Sequence, residues 1–383
     1  MKQIILFTIL SLLFFQGFAQ EAKKNVPQTK IIKETSSYNF QLSNYLEDNN
    51  DLDKEVIRIF SNLDDTAIIA QLIMSAVGRL GQKKEIIDQH IKDRVIGGVL
   101  MLNGTKEEFK TWIQDFEAKN KKLGNLPFLY SADAEPSLVN RKIIGSTPVK
   151  KANELISIEE VNSVAATISK DLNAIGINYN FSPVVDMSAN QTVGFRSFGA
   201  KPENIIPWSD AFIQETQRNN ILATAKHFPG HGLVSGDTHK ALQVIDGPLK
   251  ELQNYPLLIK NGVLSIMIAH IAVKNNSQFD TKGLPSTCSE TIVKGLLRDS
   301  LGFKGLIVTD AMNMGGVVNV PSAATKAISA GCDIVLMPLD AKKTHSELLA
   351  SYKTDKVFRA KVDAAAKRII RMKLSLGLLN TIR

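Results

Sequence analysis

Short apolar runs punctuate the chain at 71–74, 98–101, 127–130, 179–182, 223–226, 266–269, 306–309 and 334–337. Each is too short for a buried helix and carries apolar residues on both faces, the pattern of a strand covered on both sides in a parallel sheet. Between several of them the period changes to that of a helix. Ser157 with Glu160 three residues on reads as a capping box, followed by Val161, Val164, Ile168 and Leu172, with Gly176 releasing the chain. Gly302 and Gly331 end two further helices just before an apolar run. Upstream, Leu52, Val56, Ile57 and Phe60 recur at helical spacing before the first run. Eight strand–helix units predict an α/β fold of the (β/α)8 TIM-barrel type, with an open doubly wound sheet as the alternative. Polar residues favour the barrel. Asp133 and Glu135 follow the third run, Asp186 the fourth, His227 the fifth, His270 the sixth and Asp310 the seventh. Successive strand ends carrying such side chains describe a ring around one mouth.

The first fifty residues follow a different pattern. Lys2, an apolar run from Ile4 to Phe15 and the small residues Gly17 and Ala19 form a cleavable leader, so residues 1–19 are expected to be a signal peptide directing periplasmic or secreted export. The run is shorter than the ~20 residues a membrane span needs. Residues 20–50 are polar and weakly periodic, an N-terminal extension or tether, and 51–383 form the barrel domain. With 44% hydrophobic and 22% charged residues, the chain has the make-up of a globular domain and not of a disordered one. The net charge of +8 suits an anionic polymer, but the lysines are scattered and no aromatic-laced basic stripe marks a nucleic-acid partner. Cys288 and Cys332 are expected as buried, unlinked thiols.

Chemistry concentrates in Lys226-His227-Phe228-Pro229-Gly230-His231-Gly232, followed by Asp237-Thr238-His239. An acid two residues before a histidine in an extended loop can hold one ring nitrogen and leave the other for proton transfer. Asp310 ends an apolar strand, where it either caps a turn or faces a site. Arg196, flanked by Phe195 and Phe198, either clamps a polar substrate or pairs with an acid.

Three segments together resemble glycoside hydrolase family 3, and within it the bacterial β-N-acetylglucosaminidases of peptidoglycan turnover. They are KHFPGHG with the following acid–hydroxyl–His, the run from Leu284 to Gly315 containing GLIVTDAMNMG, and AISAGCDIVLMP. The resemblance implies a retaining exo-β-N-acetylglucosaminidase with Asp310 as nucleophile, His239 as acid/base and Asp237 orienting the imidazole. It implies sugar contacts from Lys226, His227, Arg196, Asp133 and Arg141, the last two at the family's spacing. Pro136 and Ser137 stand where the family usually has two glycines. The implied partner is an amino-sugar glycan; neither cofactor nor metal is implied, nor a nucleic acid or a membrane span once the leader is removed.

Three other readings compete. Another family 3 sugar specificity is the nearest. A metal hydrolase using His227, His231, Asp237 or Asp310 is opposed by Pro229 and Gly230, which break the helix that an i, i+4 histidine pair needs. A non-catalytic carbohydrate-binding relic is opposed by the presence of Asp237, His239 and Asp310 together.

Overall fold

The computed structural model describes residues 39–190 and 192–379. The expected leader and residues 20–38 of the expected extension lie outside them. Eight parallel strands form the centre: β1 (Ile73–Val77), β2 (Gly98–Met101), β3 (Leu129–Ala132), β4 (Tyr179–Asn180), β5 (Leu222–Phe228), β6 (Ser265–Ile268), β7 (Leu306–Thr309) and β8 (Val335–Leu336). They pair in the order β7-β6-β5-β4-β3-β2-β1-β8. The ring closes between β7 and β8 through a parallel bridge from Val308 to Ile334 and the bond Thr309 N–H to Ile334 O, 3.0 Å. All eight expected runs contribute a strand, and the barrel, not the open sheet, is what they build. The first and third strands start two residues later than their apolar runs. Gln71 belongs to the end of the helix Asp65–Gln71 and Leu72 caps it.

A helical segment follows every strand: α1 (Lys84–Asp93), α2 (Lys106–Lys122), α3 (Ile158–Ile175), α4 (Pro202–Arg218), α5 (Pro256–Lys260), α6 (Thr291–Ser300), α7 (Ala323–Ala330) and α8 (Ala341–Thr354), with α9 (Lys356–Ser375) closing the ring. The start of α3 shows why the sequence marks it so clearly. Ser157 accepts the Glu160 N–H, while the Glu160 carboxylate accepts from Ile156 N–H, one position before the partner a regular capping box uses. At its other end Gly176 takes φ +97°, which a side chain would resist.

Before β1, the helix Asn50–Ser61 buries Leu52, Val56 and Ile59, whereas Ile57 points outward, 57% exposed. The chain just upstream is no tether where it is described. Phe40, Leu42 and Tyr45 are buried. The Arg371 guanidinium on α9 donates to Tyr45 O at 2.7 Å and Glu47 O at 2.6 Å, tying this stretch to the barrel. Cys288 and Cys332 are buried and unlinked. Among the described residues no helix is long and apolar enough to cross a membrane.

The closing seam depends on Asp333. Its fully buried carboxylate accepts from Ile307 N–H on β7 (2.7 Å), Arg298 on α6 (2.6 Å) and Arg368 on α9 (2.8 Å). Removing it takes the carboxylate partner from two partly buried guanidinium groups, Arg298 and Arg368, and leaves the Ile307 N–H without its acceptor. Asp333→Ala is therefore expected to destabilise the fold by about 3–5 kcal/mol. Guanidinium unfolding should show a lower midpoint at an unchanged slope; an unmoved midpoint would show that the seam holds without it.

Candidate active site

Asp133, His270 and Asp310 lie one or two residues past the ends of β3, β6 and β7, and Lys226 and His227 are among the last residues of β5. All therefore stand at one rim of the barrel. Asp133 accepts from Lys226 Nζ at 2.9 Å and from Lys142 Nζ at 2.7 Å. Glu135 pairs with Lys226 at 2.6 Å and takes two parallel bonds from Arg196, each 2.7 Å. Burial raises both carboxyls, but the surrounding cations win. Lys142 and Lys226 hold Asp133 far below the usual carboxylate range, and Arg196 and Lys226 bring Glu135 down to about 2. The same charges work in reverse on Lys226, whose burial is outweighed by Asp133 and Glu135. Arg196 is thus paired with an acid in the free protein, and its charge reaches the site through that pair.

Beside this cluster stands a buried dyad. Asp186 accepts from His227 Nδ1 at 2.6 Å and from the backbone N–H groups of His227 and His231, leaving the far side of the His227 ring unengaged by it. His270 donates from Nε2 to Ala311 O at 3.0 Å, which leaves Nδ1 to accept from Thr287 at 2.9 Å. Burial lowers the His270 pKa, consistent with that neutral form. Asp310 itself is half-buried. Burial pushes its carboxyl up, yet the neighbouring His227 and His270, the Ala311 N–H at 2.8 Å and His239 hold it below the ordinary aspartate value. It is a carboxylate across the neutral range.

His239 and Asp237 form the pair their spacing implies. Asp237 Oδ1 accepts both the His239 N–H (2.9 Å) and Nδ1–H (2.8 Å), leaving Nε2 free. Burial of Asp237 is offset by these bonds, so its carboxyl lies below the ordinary value. The ring is solvent-facing, 60% exposed. Two backbone bonds, Gly316 N–H to Thr238 O (3.0 Å) and Gly315 N–H to His239 O (2.9 Å), seat this segment on the chain just past Asp310.

Of the two cations at 141 and 142, the second is the one bonded to the rim cluster. Arg141 is exposed, and its neighbour Lys142 reaches Asp133 instead. Arg141 and Lys142 share the single helical turn Val139–Lys142, where adjacent residues point about 100° apart. Ser137, one of the two departures from glycine, donates to Phe195 O at 2.6 Å and accepts the Ala152 N–H at 2.9 Å. It thereby locks this loop against the segment bearing Arg196. Sequence reasoning also missed Asn190 and Glu251, whose side chains bind loop backbone and follow no periodic signal. His227 and His231, considered as a metal pair, each have a separate partner, Asp186 and Thr238. Among the described residues no group of three or more His, Cys, Asp or Glu is disposed to hold a metal ion.

Residues 66–372 match the family described as Glycosyl hydrolase family 3 N terminal domain. Over 304 residues the chain is 28% identical to a Beta-N-acetylglucosaminidase/beta-glucosidase of Cellulomonas fimi, covering 74% of this chain and 53% of that protein. The chain thus spans about half the length of that relative. A family 3 β-N-acetylglucosaminidase from Paenibacillus sp. strain FPU-7 superposes with a TM-score of 0.76 at 26% identity, covering 82% of this chain and 63% of the other. A β-N-acetylhexosaminidase from Beutenbergia cavernae gives 0.73 at 27%, with 80% and 97% covered. A barrel with a charged rim, matched to one family over most of its length, leaves a single classification: the chain belongs to glycosyl hydrolase family 3.

Proposed function

We propose that the chain is a retaining exo-β-N-acetylglucosaminidase that removes terminal N-acetylglucosamine from peptidoglycan fragments or related amino-sugar glycans. One observation carries the reading: Asp310, one residue past β7, and the His239–Asp237 pair are brought to the same place, because Gly315 and Gly316 on the chain just past Asp310 bond His239 O and Thr238 O. Asp310 attacks the anomeric carbon while His239 gives its Nε2 proton to the departing glycosidic oxygen, leaving a glycosyl ester. His239 Nε2 then takes a proton from water, the water oxygen bonds to the anomeric carbon, and the Asp310 carboxylate is released. Two displacements give net retention. Asp237 holds Nδ1 protonated and supports the imidazolium that donates in the first step and is regenerated in the second. The Asp133–Lys142–Lys226–Glu135–Arg196 cluster and His227 offer fixed donors and acceptors for the hydroxyls of one terminal sugar. The names of the relatives support the amino-sugar preference.

Asp310→Ala should reduce turnover below detection while the melting temperature moves little, since the side chain is at the rim and not in the core. A fluorinated glycosyl donor should label one carboxylate, and mass mapping to any residue but Asp310 would overturn the assignment. Because its folded pKa is depressed, protonation of Asp310 should end activity only at a pH below that of an ordinary aspartate.

His239→Ala should lose on the order of 10²-fold or more on a disaccharide but far less in the first step with a dinitrophenyl glycoside, whose leaving oxygen needs no acid. With that activated substrate the ester should accumulate as a burst, and azide should restore turnover with retained configuration. Equal loss on both substrates without azide rescue would reassign the acid/base, with Asp237 the next candidate.

For specificity, kcat/KM should be higher for an aryl N-acetylglucosaminide than for the matching glucoside. Faster glucoside turnover would point to another family 3 specificity and leave the mechanism standing.

A further inference from the structure

The loop between His227 and His239 contains three glycines, at 230, 232 and 236, a composition that suggests mobility. Its backbone is nevertheless held at several points by buried residues. His231 N–H goes to Asp186 (2.9 Å), and Gly232 and Leu233 N–H go to Glu251 (3.2 Å each). Gly232 lies so close to the neighbouring loop that a Cβ there would fall 1.7 Å from Met187 O.

The carbonyls of the same loop converge on one residue. Asn190, 5% exposed, donates its backbone N–H to Gly232 O (2.7 Å) and its side-chain Nδ2 to Val234 O (2.5 Å) and Gly236 O (3.0 Å). Its two acceptors face the other way. Oδ1 takes the Thr192 N–H (2.7 Å) and the backbone O takes the Gly194 N–H (2.7 Å), at the start of the turn Gly194–Arg196. All four polar groups of Asn190 are therefore used, the donors on the loop leading to His239 and the acceptors on the segment leading to Arg196. Gly236 O, which it holds, immediately precedes Asp237.

We propose that Asn190 is a positioning residue for the reaction: by bonding Val234 O and Gly236 O it fixes where Asp237 and His239 stand relative to the loop past Asp310, and it couples that position to the Arg196 segment. The physical requirement is specific to this site. An acid/base on a solvent-facing ring has no packed wall to place it, so the path of its loop must be set by hydrogen bonds, and an ångström of displacement is enough to lose most of the proton-transfer advantage.

The inference rests on His239 being the acid/base, and the test separates the two claims. Asn190→Ala, His239→Ala and the double variant are each assayed on an N-acetylglucosamine disaccharide and on a dinitrophenyl N-acetylglucosaminide, with melting temperatures recorded. Asn190→Asp is run beside them; it preserves the accepted bonds and turns only the donor toward the two carbonyls into an acceptor. If Asn190 acts through His239, both Asn190 variants lose on the order of 10²-fold on the disaccharide and little in the burst step with the activated glycoside. The double variant should then be no slower than His239→Ala alone, since an already missing acid cannot be misplaced. Should Asn190→Ala not fold, the Asn190→Asp measurements carry the same comparison. Leaving-group-independent loss in the Asn190 variants, or multiplied losses in the double variant, beside a leaving-group-dependent His239→Ala, would overturn the positioning role alone. A His239→Ala variant that shows no leaving-group dependence would overturn the acid/base assignment and this inference with it.

Discussion

An ammonium group with 1% of its side chain exposed is tolerable only when acids surround it, and the rim of this barrel is arranged around that constraint at Lys226. Asp133 and Glu135, both just past β3, supply the counter-charges to the end of β5. Each acid then takes a second cation, Lys142 for Asp133 and Arg196 for Glu135. Each acid is thus shared between two cations, and moving Asp133 would strip Lys142, or moving Glu135 would strip Arg196, of its ion-pair partner. Three separate chain segments are thus held in one arrangement by charge pairing, which is the condition for electrostatic preorganisation of the proposed sugar site. The backbone follows the charges: Ser137 and Asn190 fasten the loops after β3 and β4 through bonds that do not involve the cluster at all.

The barrel was legible because burial on both faces leaves a strong mark. Each strand interior reads as an uninterrupted apolar run, and a ring of eight such runs has few other ways to fold. What the runs do not carry is their end points. Gln71 is apolar in none of its atoms that matter, yet it is buried because it accepts from the Lys373 ammonium at 2.6 Å, so a polar residue at the start of the first run gave no warning that the helix continued through it. The stretch from Phe40 to Tyr45 misleads in the opposite sense. Three buried side chains among polar neighbours have no period to detect, and what anchors them is a guanidinium more than three hundred residues away.

The site shows the same division. Asp310, Lys226 and His227 are tied to strand ends, so their place follows from the fold, and Asp237–His239 pair across two residues, so their geometry is local. Arg141 depends on neither. Which of two adjacent cations reaches Asp133 is decided by the phase of a single helical turn, and Ser137 fastens the chain just before that turn through bonds to residues 152 and 195. Asn190 and Glu251 were silent for a related reason: an asparagine in a polar loop, or a glutamate beside a lysine, looks like ordinary surface until the carbonyls and N–H groups it serves are known.

These two kinds of residue meet in the role proposed for His239, a histidine where retaining glycosidases generally use a carboxylic acid. A carboxyl must be desolvated or placed near another negative charge before it is a useful proton donor near neutral pH, so its tuning and its placement come from the same packed wall. An imidazole needs no such wall, because the residue type already titrates in that range. It can stand on an open loop, 60% exposed, with a single aspartate to fix its tautomer. Freed from packing, it also loses what packing provides, a defined position. Here that is recovered through the backbone: Asp186, Asn190 and Glu251 engage the loop on one side, and Gly315 and Gly316 on the other, next to Asp310. Tuning and placement, joined in a buried acid, are divided here between a short-range pair that the sequence displays and a long-range set of backbone bonds that it does not.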